Sequence, residues 1–381
     1  MNRVDVKPEL LRWARERAGF SVDALARRFP RLEAWERGDP HPTLKQLEGF
    51  AKATFTPIGF LFLQEPPLER VPIPDFRTVA NVHVDHPSPD LLDTVYLCQQ
   101  RQDWYRDYAR SMSEPPLEFV GSARVGDDIV VTAARIRHAL GFDIEERRRL
   151  PTWTDALRRF IGQADALGIL VMVSGVVGSN NRRHLDPDEF RGFALADPLA
   201  PLVFINGADT KAAQMFTLAH ELAHVWLGQS GVSDAQAVTV PDQEIERWCN
   251  RVAAELLVPL DLVRNEYDER AGLRSELDRL ARRFKVSTLV ILRRIHDARA
   301  LTDDELWSAY GEELNRLRRL PQGRGGDFYL TLGARVSKRF ARALVVSTLE
   351  GRTSFTETFR LLGVKKMATF QELGQSLGMG F

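Results

Sequence analysis

His220-Glu221-Leu222-Ala223-His224 restricts what this chain can fold into more than any other stretch. It lies within Phe216 to Leu227, where Leu218, Leu222 and Val225 mark an apolar face that would bury a helix. At 3.6 residues per turn, positions four apart stand one turn apart on one face, so His220 and His224 project together. Two imidazoles so placed can grip one Zn²⁺, and Glu221 beside them can act as general base on a water. The bland alternative for these five residues alone is a core helix whose histidines bond to their neighbours. A catalytic zinc site usually takes three protein ligands, so the motif requires one more from elsewhere.

Length and composition set the frame. A chain of 381 residues suggests two or three domains, and a hydrophobic fraction of 44% is enough for proper cores. The formal net charge is zero, so any nucleic-acid contact has to come from a local patch. Cys98 and Cys249 are far apart, which argues against a disulfide framework and fits a reducing cytoplasm. The first residues are charged, with no apolar signal core, and no apolar run approaches the roughly 18 residues of a membrane span. A soluble, cytoplasmic chain with no membrane partner is expected.

Residues 8 to 64 read as short helices. Pro8 suits a helix start, Gly19 a stop, and Ser21 a cap for Val22 to Phe29. Trp35-Glu36-Arg37-Gly38 followed by Pro42-Thr43-Leu44 resembles the XRE-type, lambda-repressor-like helix-turn-helix family. The segment departs from that family between Phe29 and Trp35, which is short for a turn plus the N-terminal half of a recognition helix. Its charges are also nearly balanced. The resemblance implies DNA contact, and the alternative is a small helical docking domain.

Prolines then crowd from Pro66 to Pro89, marking an extended connector. Within it Phe76 is expected to plug the following domain and Asp75 to pair with Arg77. Pro89 to Met112 and Thr132 to Leu140 return to helical spacing, as does Thr152 to Leu167. Ile169 to Val173 reads as a buried strand, and Arg191 to Ala196 and Leu202 to Asn206 as two more. Asp209 or Thr210 can cap the helix that carries His220, with Gly228 and Gly231 closing it.

The next helical stretch, Asp242 to Val258, offers a third ligand. Glu246 and Asn250 are four apart and share a face, Glu244 lies on a different side, and Cys249 is off that face. Glu246 through Pro259, after Phe216 through His224, closely resembles the ImmA/IrrE family of metallopeptidases. In that family the third zinc ligand is a Glu on the helix after the first motif, and the matching position here is Glu246. This chain has Trp248-Cys249 where the family often has Glu-Ala before the Asn, which removes a competing acid. Asn250 is then placed to orient a ligand imidazole. The resemblance covers roughly residues 150 to 300.

It implies a zinc metalloendopeptidase with one Zn²⁺ per chain, held by His220, His224 and Glu246, with Glu221 as catalytic base. Transition-state charge needs a further donor, and the sequence does not choose among His184, Arg182, Arg183 and Tyr267. The strand 202–206 or 191–196, if at a sheet edge, would hold substrate as an added strand. The substrate implied is a specific protein such as a repressor, in a stress-response or toxin–antitoxin setting. The alternative is a DNA-binding regulator or antitoxin-like protein that uses the peptidase fold as sensor or scaffold.

Beyond the site, Leu273 to Phe284 and Ser287 to Ala298 read as helices of the same domain, Gly323 to Gly326 as a joint, and Phe328 to Leu349, Ser354 to Leu362 and Phe370 to Leu377 as terminal helices. Arg316, Arg318, Arg319, Arg324, Arg335, Lys338, Arg339 and Arg342 concentrate basic charge, either as a solvated face or as a second place for DNA. The reading leaves room for a homodimer. The expected fold is α+β and mostly helical, with a helix-turn-helix domain at 1–65, connector and bridging helices at 66–145, a zincin-like domain with a small sheet at 146–300, and a helical region at 301–381.

Overall fold

The fold is mostly helical α+β, with a small mixed sheet, in a computed structural model that describes residues 3–79, 82–83, 87–233, 243–318 and 328–380. The chain divides into two compact units, residues 1–72 with 84–95, and residues 73–83 with 96–381.

The first unit holds α1 (Pro8–Arg17), α2 (Val22–Ala26), α3 (Leu32–Trp35), α4 (Leu44–Ala53) and a 3₁₀ turn at Ile58–Phe62. Proline opens α1, Ser21 caps α2 through Ala24 N–H, and Thr43 and Gln46 form a reciprocal capping box on α4. Leu10, Leu11, Phe29, Trp35, Leu47 and Phe50 fill a separate core. Inside it Glu36 accepts from Arg15 Nε at 2.6 Å and Nη2 at 3.0 Å, a fork geometry that satisfies both carboxylate oxygens. α2 is shorter than the sequence suggests, stopping at Ala26, and α3 is a single turn of four residues.

The second unit begins with a two-stranded ladder, β1 (Thr78–Val79) and β2 (Val82–His83). Next come α5 (Pro89–Ser111), which belongs to this unit from Tyr96 on, then α6 (Ile129–Leu140), α7 (Ile144–Arg149) and α8 (Trp153–Leu167). The central elements are β3 (Leu170–Ser174), β4 (Gly192–Leu195), β5 (Leu202–Asn206), α9 (Lys211–Leu227), β6 (Gly231–Ser233) and α10 (Glu244–Leu257). There follow α11 (Leu260–Glu266), α12 (Leu273–Phe284), α13 (Thr288–Asp297), α14 (Asp303–Arg318), α15 (Phe328–Val336), α16 (Lys338–Leu349), α17 (Phe355–Leu362) and α18 (Met367–Ser376). Among the described residues no helix is long and apolar enough to cross a membrane.

The four-stranded sheet runs β3-β5-β4-β6. β3 and β5 are parallel, with Leu170 opposite Leu202, and β4 is antiparallel to both β5 and β6. Every residue of β4 and β5 is buried, as expected of strands covered on both faces. This order corrects the sequence reading of the edge. Strands 191–196 and 202–206 are both interior and have no free ladder to offer an added chain. β6 was not foreseen at all: Gly228 alone closes the preceding helix, and Gly231 opens the new strand.

The C-terminal region differs from the sequence reading at one point. Phe328 to Leu349 is broken at Ser337, which sits at φ 64°. Its hydroxyl donates to Asp165 at 2.6 Å and accepts from Phe340 N–H, so it is held by α8 while capping α16. Two of the basic residues are engaged within the unit, Arg316 pairing with Glu313 and Asp278 and Arg339 donating to Tyr105 Oη, while Lys338 and Arg342 are exposed. The Gly323–Gly326 joint, Arg319 and Arg324 lie outside the described residues.

Candidate metal centre

α9 is built to be enclosed. Thr210 caps its start by accepting from Ala213 N–H, and Gly228, left-handed at φ 68°, ends it. Every residue from Gln214 to Leu227 is buried, which is what an apolar sequence on all sides demands. The orphan carbonyls of its last turn are satisfied from outside: Gly121 and Ala123 donate to Val225 and Trp226 at 3.2 and 2.9 Å. The approach is close, since a Cβ on Gly228 would stand 3.0 Å from Gly121 Cα. Sheet strands β4 and β5 cover one side of α9, and α8 and α10 pack against it.

Within that enclosure three donors converge. His220 Nε2 and His224 Nε2 face each other at 3.1 Å. Glu246, projecting from α10, brings Oε2 to 3.2 Å from His220 Nε2 and Oε1 to 2.9 Å from His224 Nε2. Among the described residues these are the one group of three or more His, Cys, Asp or Glu whose ligand atoms all lie within 4.8 Å of one another. Two ring nitrogens at such a distance need a cation or a shared proton between their lone pairs. Donors at about 2.0 Å around a tetrahedral metal stand roughly 3.3 Å apart, close to the three separations observed, so the residues fit a divalent cation.

The electrostatics agree. Burial would raise the Glu246 carboxyl, but the facing imidazoles outweigh it and hold the group well below the usual carboxylate range. Burial lowers both histidines. For His224 it prevails, whereas at His220 the nearby Glu246 and Glu221 carboxylates and the Asn250 bond turn the net shift upward. Glu221, fully buried on α9, has its carboxyl pushed up to about 8, first by burial and then by Glu246, against the pull of His220. A carboxylate that gains a proton near neutrality is suited to proton transfer. Asn250 Oδ1 accepts from His220 Nδ1 at 2.9 Å, which leaves Nε2 of a neutral His220 with its lone pair toward the centre.

The other sequence candidates fall elsewhere. Glu244 is exposed, unlike Glu246. Cys249 is wholly buried, its thiol pushed well up by burial and by Glu246 and Glu221, as suits a core residue. Arg182 and His184 are exposed on the turn after β3, where His184 bridges Val176, and Arg183 between them is buried. Tyr267 closes α11, its hydroxyl raised by burial and then by Glu269, Glu276, Glu305 and Asp268. So acidic a setting is the wrong field for holding an oxyanion.

Two neighbours escaped the sequence reading. Ser233 Oγ lies 3.4 Å from His224 Nε2, and no motif marks it because β6 itself was unseen. Gly192 on β4 gives Glu221 its room: a Cβ there would stand 2.6 Å from Thr217 Cγ2, 2.8 Å from Phe204 O and 3.1 Å from Glu221 Oε1. Gly192→Ala is therefore expected to cost about 1–3 kcal/mol through overpacking. Thermal unfolding of the variant beside the parent measures it, and an unchanged midpoint would show that α9 can yield.

Comparison with known proteins adds three findings. Residues 164–296 match the family described as the IrrE N-terminal-like domain, Peptidase M78. Residues 336–376 match a domain of unknown function, DUF8813. The radiation response metalloprotease IrrE of Deinococcus radiodurans is 34% identical over 96 residues, which are 24% of this chain and 29% of that protein. The matched family segment contains α9, β6 and α10 and with them every donor of the cluster. Over residues 164–296 the chain thus carries a domain similar to the IrrE N-terminal-like, Peptidase M78 family, and it spans under a third of the Deinococcus protein's length.

Proposed function

We propose that His220, His224 and Glu246 hold one Zn²⁺ and that this protein is a regulatory endopeptidase with Glu221 as its catalytic base. The observation that carries the reading is the convergence of two Nε2 atoms and one carboxylate at about 3 Å from one another, with a buried glutamate one residue from the first ligand. Zinc held there would polarise a peptide carbonyl and make water a stronger acid. Glu221 takes the proton of the attacking water on its carboxylate and delivers it to the leaving amine nitrogen. Asn250 keeps His220 in the tautomer that a metal ligand needs. Glu221 is fully buried on the enclosed helix α9, beside the first ligand.

The substrate is a specific protein, such as a repressor, rather than peptides at large. The name of the similar Deinococcus protein, a radiation response metalloprotease, supports a regulatory setting. The interior position of β4 and β5 removes strand addition at those two strands as the way substrate is held.

Metal analysis tests the proposal. The full chain is expected to bind one Zn²⁺ per molecule, and Glu246→Ala and His224→Ala to lose it while keeping the parent's circular dichroism. Stoichiometric zinc in either variant would remove these residues from the ligand set.

A further inference from the structure

We infer that Phe76, far outside the matched segment, is the positioning residue for His224, a role that rests on the metal-centre reading above. The two ligand histidines are held differently. His220 is fixed by its second nitrogen, through Asn250 Oδ1. His224 Nδ1 is buried and has no hydrogen-bond partner among the described residues. A ligand histidine usually donates that N–H to a carboxylate, carbonyl or water, which sets the ring orientation. Rotation about the ring torsion is otherwise soft.

At His224 the orientation comes from a ring face instead. The Phe76 ring lies nearly parallel to the imidazole, at an interplanar angle of 12° and a centroid distance of 5.7 Å. That is the offset-stacked arrangement aromatic pairs favour. It fixes the imidazole plane while Nε2 stays aimed at His220 and Glu246.

Phe76 can do this because the chain around it is held rigidly. Phe76 N–H donates to Val232 O at 2.9 Å, and Val232 N–H donates to Pro74 O at 2.9 Å, so the segment lies as a parallel addition on β6. Gly231 makes room: a Cβ there would run into the Phe76 ring. Arg77, 1% exposed, donates to Asp75 from Nε at 2.8 Å and Nη2 at 2.6 Å and pairs with Glu189 at 3.4 Å. The Asp75–Arg77 pair expected from the sequence is therefore present, and it anchors the residue next to the stacked ring.

The test uses the full chain. Zn²⁺ affinity is measured by competition with a chromophoric chelator, and the visible bands of the Co²⁺-loaded protein report ligand geometry. Phe76→Leu is expected to weaken Zn²⁺ binding about tenfold, the lower end for loss of an outer partner of a ligand, and to shift the Co²⁺ bands. Phe76→Tyr, which keeps the ring, restores both. Gly231→Ala, which crowds the ring without removing it, weakens binding as Phe76→Leu does. Unchanged affinity and bands in Phe76→Leu and Gly231→Ala would overturn the role, as would failure of Phe76→Tyr to restore them. Faster cleavage by Phe76→Leu at unchanged affinity would also overturn it, marking the segment as a plug over the site. His224→Ala is the control: full Zn²⁺ affinity in that variant would sink the metal-centre reading itself.

Discussion

Glu221→Gln is expected to leave the fold and the bound metal intact and to lower peptide cleavage about 10²–10⁴-fold, the range of general acid–base catalysis. The amide has nearly the size of the carboxylate it replaces, so the close approach of Gly192 to that side chain sees little change in volume. What is lost is the ability to take a proton from water and pass it on. The parent's carboxyl is pushed up to about 8 by burial, and the neutral amide avoids the desolvation that causes the rise. The variant should therefore be at least as stable as the parent near neutral pH. Its retained metal and lost turnover also make it a trap: a pull-down from a source of candidate repressors should recover the uncut substrate. Cleavage at the parent's rate would end the assignment of Glu221 as base, whatever the metal content.

The second large effect concerns stability. Glu255 lies on α10 about two and a half turns beyond Glu246, and it is 5% exposed. It is ion-paired with Arg294 of α13, also 5% exposed, and accepts from Leu260 N–H at 3.2 Å. Arg294 further donates to Val258 O at 2.8 Å and pairs with Asp297 at 3.2 Å. Removing one partner leaves the other charge buried, so Glu255→Ala is expected to cost about 3–5 kcal/mol. Asp297 compensates part of the Arg294 charge, which places the effect near the lower figure. The double variant Glu255→Leu with Arg294→Met should recover much of the loss, since matched apolar replacement of a buried pair is often neutral. Chemical denaturation followed by circular dichroism and intrinsic tryptophan fluorescence reports it. A double variant no better than the single one would show that packing volume, not uncompensated charge, set the cost.

The local periodicity of α9 was legible because both its chemistry and its burial are written within one helix. His220, Glu221 and His224 fall within five consecutive residues, and Thr210 and Gly228 mark the ends. Glu246 needed a different kind of information: the spacing within α10 narrowed the acids, and the family resemblance selected one. The structure adds that Glu244, two residues away, is exposed while Glu246 is enclosed. Strand positions were legible from apolar runs at 169–173 and 202–206. Strand order was not, since pairing is decided by contacts between distant residues, and an all-buried run reads the same at the edge as in the middle. β6 has three residues, too few for any alternation to register. Phe76 was recognised as something more than loop filler, but a stacking partner 148 positions away leaves no trace in spacing.

The segment that steadies His224 also sets the outer rim of the sheet. Beyond β6 the next backbone is Pro74-Asp75-Phe76, joined through Val232. Pro74 has no N–H to present outward, and Asp75 pairs with the buried Arg77 beside the rim. Bare sheet edges recruit strands from other molecules, and proline and charge are the common safeguards. On this side the sheet therefore ends in a backbone poorly suited to templating another chain. A lesion that detached residues 74–77 would uncover the edge of β6 and bring a risk of aggregation as well as a loosened metal ligand.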